Sequence, residues 1–115
     1  ARSRGGIEVV MTKIAVLGGG NLGRALALGW VGAGRLEPSD ICITRRQSEK
    51  LSDLQEVGYL TGADNLEAVR ASDLIIVSVQ PQQLDALLRE IAGELNPSRH
   101  RLVSVVTGEV FAIPP

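Results

Sequence analysis

The chain has 115 residues, 44% of them hydrophobic and 22% charged, with a formal net charge of −1. These values are typical of one compact globular domain and exclude a disordered chain or two ordinary domains. A near-neutral chain has no global field that would attract nucleic acid or an anionic membrane, so any attraction for an anion must be local. The sequence shows neither a membrane-spanning apolar stretch nor a signal peptide, and a cytoplasmic protein is expected.

The first patterned segment begins just after Met11, and residues 1–10 are interpreted as an upstream extension or an expression remnant. The run 13–18 ends in glycine and is apolar enough for a parallel strand that is buried on both faces. A helix is predicted from Asn21 to a C-terminal stop at Gly34. The apolar positions that give this helix its spacing are Leu22, Ala25, Leu26, Gly29 and Ala33.

The rest of the chain continues to alternate apolar runs with amphipathic segments. The run 74–79 is the richest in β-branched residues and is expected to form a central strand. Asp64 is predicted to cap one helix, and Pro81 stands in the first turn of another, where its missing N–H does no harm. The predicted elements are strands at 40–44, 59–62, 74–79 and 101–106 and helices at 48–58, 64–71 and 81–95.

The order of these elements, β-α-β-α-β-α-β-α-β, predicts the fold class. Right-handed crossovers turn such an order into a doubly wound parallel sheet, so an α/β domain of the Rossmann type is expected. The predicted dinucleotide-binding domain spans 11–108, and the two prolines of 109–115 mark a domain end or a linker.

Cysteine and histidine occur once each and offer no spacing for a metal site. Cys42 lies in an apolar run and is predicted to be a buried small hydrophobe rather than a nucleophile. His100 stands between two arginines and is predicted to be an exposed loop residue. Trp30 and Tyr59 are predicted to pack in the core rather than to stack on a ligand.

A glycine-rich turn stands between the first strand and the first helix. Gly18-x-Gly20-x-x-Gly23 matches the dinucleotide-binding fingerprint, and its place at the first turn makes it more specific than the string alone. Gly18 would allow the tight turn, Gly20 would let the backbone approach a pyrophosphate, and Gly23 would let the helix pack close to the strand. The N-terminus of the helix would then present N–H groups to phosphate. A tight turn without a ligand is the alternative.

Two arginines follow the second strand, where NAD enzymes place an acidic residue that accepts hydrogen bonds from the adenosine ribose. Here that place holds Thr44, Arg45 and Arg46. Guanidinium groups bind a 2′-phosphate in a bidentate manner, whereas a carboxylate would repel it. The sequence therefore predicts NADP (NADPH) rather than NAD as the cofactor. A solvated strand end is the alternative.

Several stretches together resemble the N-terminal domain of the pyrroline-5-carboxylate reductases. They are "KIAVLGGGNLGRALALGW", "ITRR", "ADNLEAVRASDLIIVSVQPQQ" and "LVSVVTG", and the similarity runs from about Met11 to Gly108. Members of this family reduce a cyclic imine carboxylate, 1-pyrroline-5-carboxylate, to L-proline in the last step of proline biosynthesis. The resemblance implies an NADP-dependent oxidoreductase with a small-molecule substrate, which forms homo-oligomers through a C-terminal helical domain.

The resemblance also implies contacts with each part of the dinucleotide. For the pyrophosphate they are Gly18, Gly20, Asn21 and Leu22, with Gly23 completing the turn, and for the 2′-phosphate they are Thr44, Arg45 and Arg46. Asn65 would reach the adenosine, Val79, Gln80 and Pro81 the nicotinamide ribose, and Thr107 the surroundings of the nicotinamide. Both asparagines could instead cap helices, and the stretch around Gln80 could be only a strand end and a helix start.

Three features depart from the family pattern. Gln80 stands where the family usually has lysine, and the stretch after Gly108 does not continue the pattern. The helical domain that supplies most of the imine pocket does not occur in the 115 residues. No catalytic acid or base is assigned, so the isolated chain is expected to bind cofactor without reducing the imine. Deazaflavin-dependent NADP reductases, β-hydroxyacid dehydrogenases and a non-catalytic nucleotide-binding module are the alternatives.

Overall fold

The computed structural model describes residues 13–105 and, as backbone strands, residues 3–4, 7–8 and 110–111. Within these ranges the strands are β1 (Ser3–Arg4), β2 (Ile7–Glu8), β3 (Ile14–Leu17), β4 (Ile41–Thr44), β5 (Leu60–Gly62), β6 (Leu74–Val77), β7 (Arg101–Ser104) and β8 (Val110–Phe111). The α-helices of the same ranges are α1 (Asn21–Gly32), α2 (Ser52–Val57), α3 (Asn65–Arg70) and α4 (Pro81–Ile91). Single turns of 3-10 helix lie at Pro38–Asp40, Ser48–Leu51 and Ala92–Glu94.

The main sheet has the strand order β5-β4-β3-β6-β7-β8. Strands β3 to β7 run parallel, and β8 pairs antiparallel with β7. The chain moves outward from β3 to β5, then crosses to β6 on the other side, so the order reverses between β3 and β6. This is the topology of a doubly wound sheet, and the predicted Rossmann-type α/β fold is confirmed.

Two short features add to the five predicted parallel strands. Strand β8 lies in the stretch 109–115, for which no strand was predicted, and β1 pairs with β2 within residues 1–10. Each of these strands has two residues, which is too short for an alternating pattern to be visible in the sequence.

The core lies on both faces of the sheet because successive residues of a strand point to opposite sides. Ile14 and Val16 of β3 pack on the side of α1 and α2, whereas Ala15 and Leu17 pack on the side of α3 and α4. All four side chains are buried, as expected of a central parallel strand.

Helix α1 turns a different face to the sheet from the one that its apolar spacing suggested. Gly23 and Ala27 are its buried residues, while Leu22 is 50% exposed and Gly29 is exposed. Apolar residues occur on nearly every side of this helix, so spacing alone did not define the inner face. The close approach at Gly23 defines it, because a Cβ there would lie 2.5 Å from the carbonyl oxygen of Gly18.

His100 is buried, so the prediction of an exposed loop residue is wrong. The side chain is 5% exposed, and its Nδ1 accepts a hydrogen bond of 2.9 Å from the Asn96 N–H. The Nε2 atom lies 3.0 Å from the carbonyl oxygen of Val69 on α3, to which it donates in the neutral ring. The prediction relied on the two arginines that flank His100, which are typical of an exposed loop. Instead, the hydrogen bonds of the ring connect the loop before β7 to α3.

The packing predicted for Tyr59 and Trp30 is confirmed, whereas Cys42 is less buried than predicted. Tyr59 is buried, and Trp30 is partly buried and packs against the same core. Cys42 is half-buried, and burial raises the pKa of its thiol, which disfavours the nucleophilic thiolate. Among the described residues, no helix is long and apolar enough to cross a bilayer.

Candidate functional site

An open cleft of about 1200 Å³ lies at the carboxyl-terminal edge of the sheet, where the strand order reverses. Open α/β sheets bind their ligands in this crevice. Three segments that follow β3, β4 and β6 line the cleft, and one face of α4 forms part of its wall. The lining residues are 18–22, 44–47, Ala63, Asn65, 78–83, Ala86, Leu87, Glu90 and Val105.

The turn after β3 is possible only with glycine at its first position. Gly18 has a φ of +101°, and a Cβ there would lie 2.5 Å from the carbonyl oxygen of Ser78 at the end of β6. The carbonyl oxygen of Thr44 accepts hydrogen bonds from the N–H groups of Gly18 at 3.0 Å and Gly19 at 2.7 Å. The turn is therefore wedged between the ends of β4 and β6.

The four glycines of this region differ in what makes glycine necessary at each position. A Cβ on Gly19 would lie 2.8 Å from a methyl carbon of Ile43, and one on Gly23 would meet Gly18 as described above. A Cβ on Gly20 would find no protein atom within 4 Å, and its φ of −78° suits any residue. Since internal packing does not require glycine at position 20, the close approach of a ligand to the backbone is a reason for it.

Two helices begin at the cleft. Gly20 is the N-cap of α1 and Gln80 that of α4, and Pro81 occupies the first turn of α4. Neither first turn contains an acidic residue, so the partial positive charge of each helix N-terminus is not compensated there. Asn21 is the first helical residue of α1 and not its cap, and its exposed side chain lines the cleft.

The two arginines after β4 lie in the cleft but in different settings. Arg45 is half-buried, and its Nη1 donates a 3.3 Å hydrogen bond to the carbonyl oxygen of Gly19 in the turn. Arg46 is exposed. Within the described residues neither arginine pairs with a carboxylate, so both charges are available to an anion.

A chain of side-chain hydrogen bonds crosses the cleft from β4 to α4. Thr44 is buried, and its hydroxyl donates a short hydrogen bond to Oδ1 of Asn65. The Asn65 amide nitrogen lies 3.4 and 3.3 Å from the two carboxylate oxygens of Glu90. Asp64, not Asn65, caps α3, since its Oδ1 accepts from the N–H groups of two residues in the first turn. The side chain of Asn65 is therefore held at the cleft and takes no part in capping.

Comparison with known proteins identifies the family. The family described as "NADP oxidoreductase coenzyme F420-dependent" matches residues 13–108, most of the chain. The chain belongs to this family.

Individual proteins and structures that are similar to this chain have more specific names. Pyrroline-5-carboxylate reductase 2 of Dictyostelium discoideum is 41% identical over 96 residues, which are 83% of this chain and 32% of the relative. A pyrroline-5-carboxylate reductase structure from Coxiella burnetii has a TM-score of 0.76 at 27% identity, covering 83% of this chain and 35% of that one. An imine reductase from Myxococcus stipitatus in complex with NADP+ has a TM-score of 0.67 at 28% identity, covering 80% and 31%.

These matches confirm the resemblance to the N-terminal part of the pyrroline-5-carboxylate reductases. The chain spans between 17% and 37% of the length of the first three curated relatives it matches.

Most of the cofactor-binding residues predicted from the sequence meet in the cleft. Gly23 does not line it and serves instead to bring α1 against the turn, as its predicted role in helix packing requires. Thr107 lies outside the described residues, as does Gly108. The predicted residues that do line the cleft are Gly18, Gly20, Asn21, Leu22, Thr44, Arg45, Arg46, Asn65, Val79, Gln80 and Pro81.

Sequence reasoning missed the contribution of α4. Besides Pro81 and Gln82 at its start, the residues of α4 in the cleft wall are spaced at i, i+3, i+4 and i+7, so they form one stripe. Leu87 of this stripe also packs in the core, and helical spacing along the sequence could have revealed the stripe. The residues that line the cleft in this way are Gln83, Ala86, Leu87 and Glu90.

Proposed function

We propose that the cleft binds NADPH and that this chain is the cofactor-binding domain of an oxidoreductase. The observation that supports this proposal most directly is the contact between Arg45 and the glycine turn. Arg45 follows β4 and contacts Gly19 of the turn, and neither Arg45 nor Arg46 is neutralised by a described carboxylate. The segment that would bind the 2′-phosphate thus contacts the turn that would bind the pyrophosphate, which supports the binding of one NADPH molecule across both.

The described residues fit such a cofactor in each part of the cleft. Gly20 leaves open space beside its backbone at the N-terminus of α1, where a pyrophosphate would be bound by N–H groups. Arg45 and Arg46 would hold the 2′-phosphate, and Asn65 would reach the adenosine. Val79, Gln80 and Pro81, at the end of β6, would support the nicotinamide ribose. Thr107 is proposed, from the family resemblance, to lie near the nicotinamide.

The reaction is proposed to be the reduction of 1-pyrroline-5-carboxylate to L-proline, as the names of the curated relatives suggest. When bound, NADPH supplies the hydride for such a reduction. The residues of this chain bind and orient the cofactor. Orienting a cyclic imine carboxylate against it is assigned to the part of the relatives that this chain does not span. Homo-oligomerisation through that part and a cytoplasmic location belong to the same proposal.

A coenzyme F420-dependent reductase, with a deazaflavin as the second substrate, is the second candidate. The family description favours it, because that description names coenzyme F420. The curated relatives named as pyrroline-5-carboxylate reductases favour the imine, because the identity reaches 41% there. A nucleotide-binding module without catalysis is the remaining alternative.

Titration of the chain with NADPH, followed by the fluorescence of the reduced nicotinamide, tests the binding step. We expect saturable binding and no NADPH oxidation when the cyclic imine or oxidised F420 is added to this chain. The same two substrates, assayed with the full reading frame that encodes the chain, separate the two candidate reactions. Absence of binding by the folded chain would refute the cofactor proposal, and appreciable imine reduction by the 115-residue chain would refute the division of labour.

A further inference from the structure

One carboxylate lies in a cleft that is otherwise built for an anion. Glu90 of α4 lines the cleft with Asn65, Ala63 and Ala86. A carboxylate near a pyrophosphate or a 2′-phosphate costs binding energy through repulsion. Such a residue is compatible with tight binding when it faces a part of the ligand that is neutral and carries a hydrogen-bond donor.

The hydrogen bonds of the cleft link Glu90 to residues that are proposed to bind the adenosine part of the cofactor. Thr44 immediately precedes Arg45, its hydroxyl contacts Asn65, and Asn65 contacts Glu90. Glu90 is therefore two side-chain contacts away from the proposed 2′-phosphate site. The adenine of the cofactor is attached to the same ribose as that phosphate. Ala63 and Ala86, which line the same cleft, present small apolar surfaces that suit the face of an aromatic base.

Glu90 also retains capacity to accept hydrogen bonds. An ionised carboxylate can accept about four, and Asn65 approaches both oxygens with one nitrogen at 3.3 and 3.4 Å, at the long end of the hydrogen-bond range. No described arginine or lysine forms an ion pair with Glu90. Its remaining lone pairs are open to a donor in the cleft.

We propose that Glu90 is a specificity-determining residue that accepts a hydrogen bond from the 6-amino group of adenine. The inference rests on the proposed binding of NADPH in this cleft. A carboxylate only accepts, so it favours adenine over a base that presents a carbonyl oxygen at the same position. Arg45 and Arg46 would then recognise the phosphate of the adenosine, and Glu90 its base.

The test compares NADPH with its deamino analogue, in which hypoxanthine replaces adenine, by direct titration of the chain. The analogue turns a 6-oxo acceptor toward the Glu90 carboxylate. We expect NADPH to bind about tenfold more tightly, the equivalent of one charge-assisted hydrogen bond in a partly exposed site. In the Glu90→Gln variant the ratio should fall to about one, because an amide can accept from the amine or donate to the carbonyl.

Asp85→Asn is the matched control, since Asp85 is an exposed carboxylate on the same helix that does not line the cleft. It should leave the tenfold ratio unchanged, and circular dichroism of each variant reports folding. Equal affinity of the unmodified chain for both nucleotides would overturn the role of Glu90 while leaving the proposed function intact. An equal loss for both nucleotides in Glu90→Gln would reduce Glu90 to a residue that positions Asn65. Binding of neither nucleotide by the folded chain would overturn both proposals.

Discussion

The two halves of the cleft are built in different ways. The half at the glycine turn is shaped by the main chain, because Gly18 and Gly23 lie so close to other backbone atoms that a Cβ would overlap them. The half after β4 is shaped by side chains, through the contacts of Thr44, Asn65 and Arg45. A backbone-built site suits what all dinucleotides share, the pyrophosphate, whereas side chains can be exchanged to select one cofactor over another. The comparison predicts that substitutions at Gly18 or Gly23 destabilise the fold, whereas substitutions of the side chains in the second half alter the preference between cofactors.

The largest effect is expected for Gly18→Ala. The alanine would have to adopt a φ of +101°, and its Cβ would lie 2.5 Å from the carbonyl oxygen of Ser78. Left-handed strain and steric overlap together should cost about 2 to 5 kcal/mol of the free energy of unfolding. Since a domain of this size has a total stability of about 5 to 15 kcal/mol, this is a large share. Urea unfolding followed by circular dichroism measures it.

Gly20→Ala is the matched control two residues further along. No protein atom lies within 4 Å of the added Cβ, and the backbone has an ordinary conformation, so the midpoint of urea unfolding should change little. Affinity for NADPH should nevertheless fall by about tenfold, as for the loss of one charge-assisted hydrogen bond. Equal destabilisation by the two substitutions would contradict the distinction between a turn required by packing and a glycine required by a ligand.

The second prediction concerns selection between NADPH and NADH. Two charge-assisted contacts at about 1.5 kcal/mol each predict a preference for NADPH on the order of a hundredfold, reduced where solvent and salt screen them. The Arg45→Ala, Arg46→Ala double variant should lose this preference, because its affinity for NADPH falls much further than its affinity for NADH. Titrations with both nucleotides, at low and at physiological salt, measure the ratio.

An Arg89→Ala variant is the control, because Arg89 is exposed on α4 and does not line the cleft. It should retain the preference. The single variants add detail: Arg45 also contacts the carbonyl of Gly19, so Arg45→Ala should weaken both nucleotides, whereas Arg46→Ala should weaken NADPH alone. Equal affinities of the unmodified chain for NADPH and NADH would remove the argument from the arginines.

The fold and the backbone-built half could be predicted from the sequence because their signals are local. Apolar runs, the cap at Asp64 and the glycine spacing each report on a few neighbouring residues, and the parallel order then follows from the handedness of crossovers. The importance of Gly19 could not be seen in this way. Its restriction comes from Ile43 and Leu51, which are distant in sequence and approach only when β4 and the following turn pack against it.

The side-chain half was predicted only in part, for the same reason. Thr44 and Asn65 were identified separately, one as a contact of the 2′-phosphate and the other as a contact of adenosine. Their hydrogen bond to each other, and the link to Glu90, depend on how β4, α3 and α4 meet. Spacing along one element contains no information about such a contact between three.

The third prediction uses the opposite edge of the sheet to separate stability from binding. His100→Ala leaves the Asn96 N–H without its partner and should cost about 2 kcal/mol in unfolding free energy. The Val69 carbonyl loses its contact with the ring but still accepts a 3.2 Å hydrogen bond from the Ser72 N–H. His100→Asn should cost less, because its side-chain oxygen can still accept from the Asn96 N–H. Urea unfolding measures both, and NADPH affinity of the folded variants should be unchanged. A loss of affinity without a loss of stability would show that this loop acts on the cleft.

The smallest effect is expected at an exposed ion pair that connects α1, which follows the glycine turn, to α2, which follows the arginines. Arg24 on α1 and Asp53 on α2 form two hydrogen bonds, and the bond from Arg24 lowers the pKa of the Asp53 carboxyl below its usual range. A carboxyl with a lowered pKa in the folded state stabilises the fold above its unfolded pKa of about 4, and this contribution is lost as the pH falls through the folded value. Asp53→Asn should therefore be slightly less stable than the parent chain at pH 6, and the difference should shrink towards pH 3.

Because the pair is exposed, the effect is small and screened by salt, and the Arg24→Gln variant should show the same pH dependence in urea unfolding. A difference between Asp53→Asn and the parent that stays constant from pH 6 to pH 3 would mean that the two halves are held together by the sheet and the turn alone.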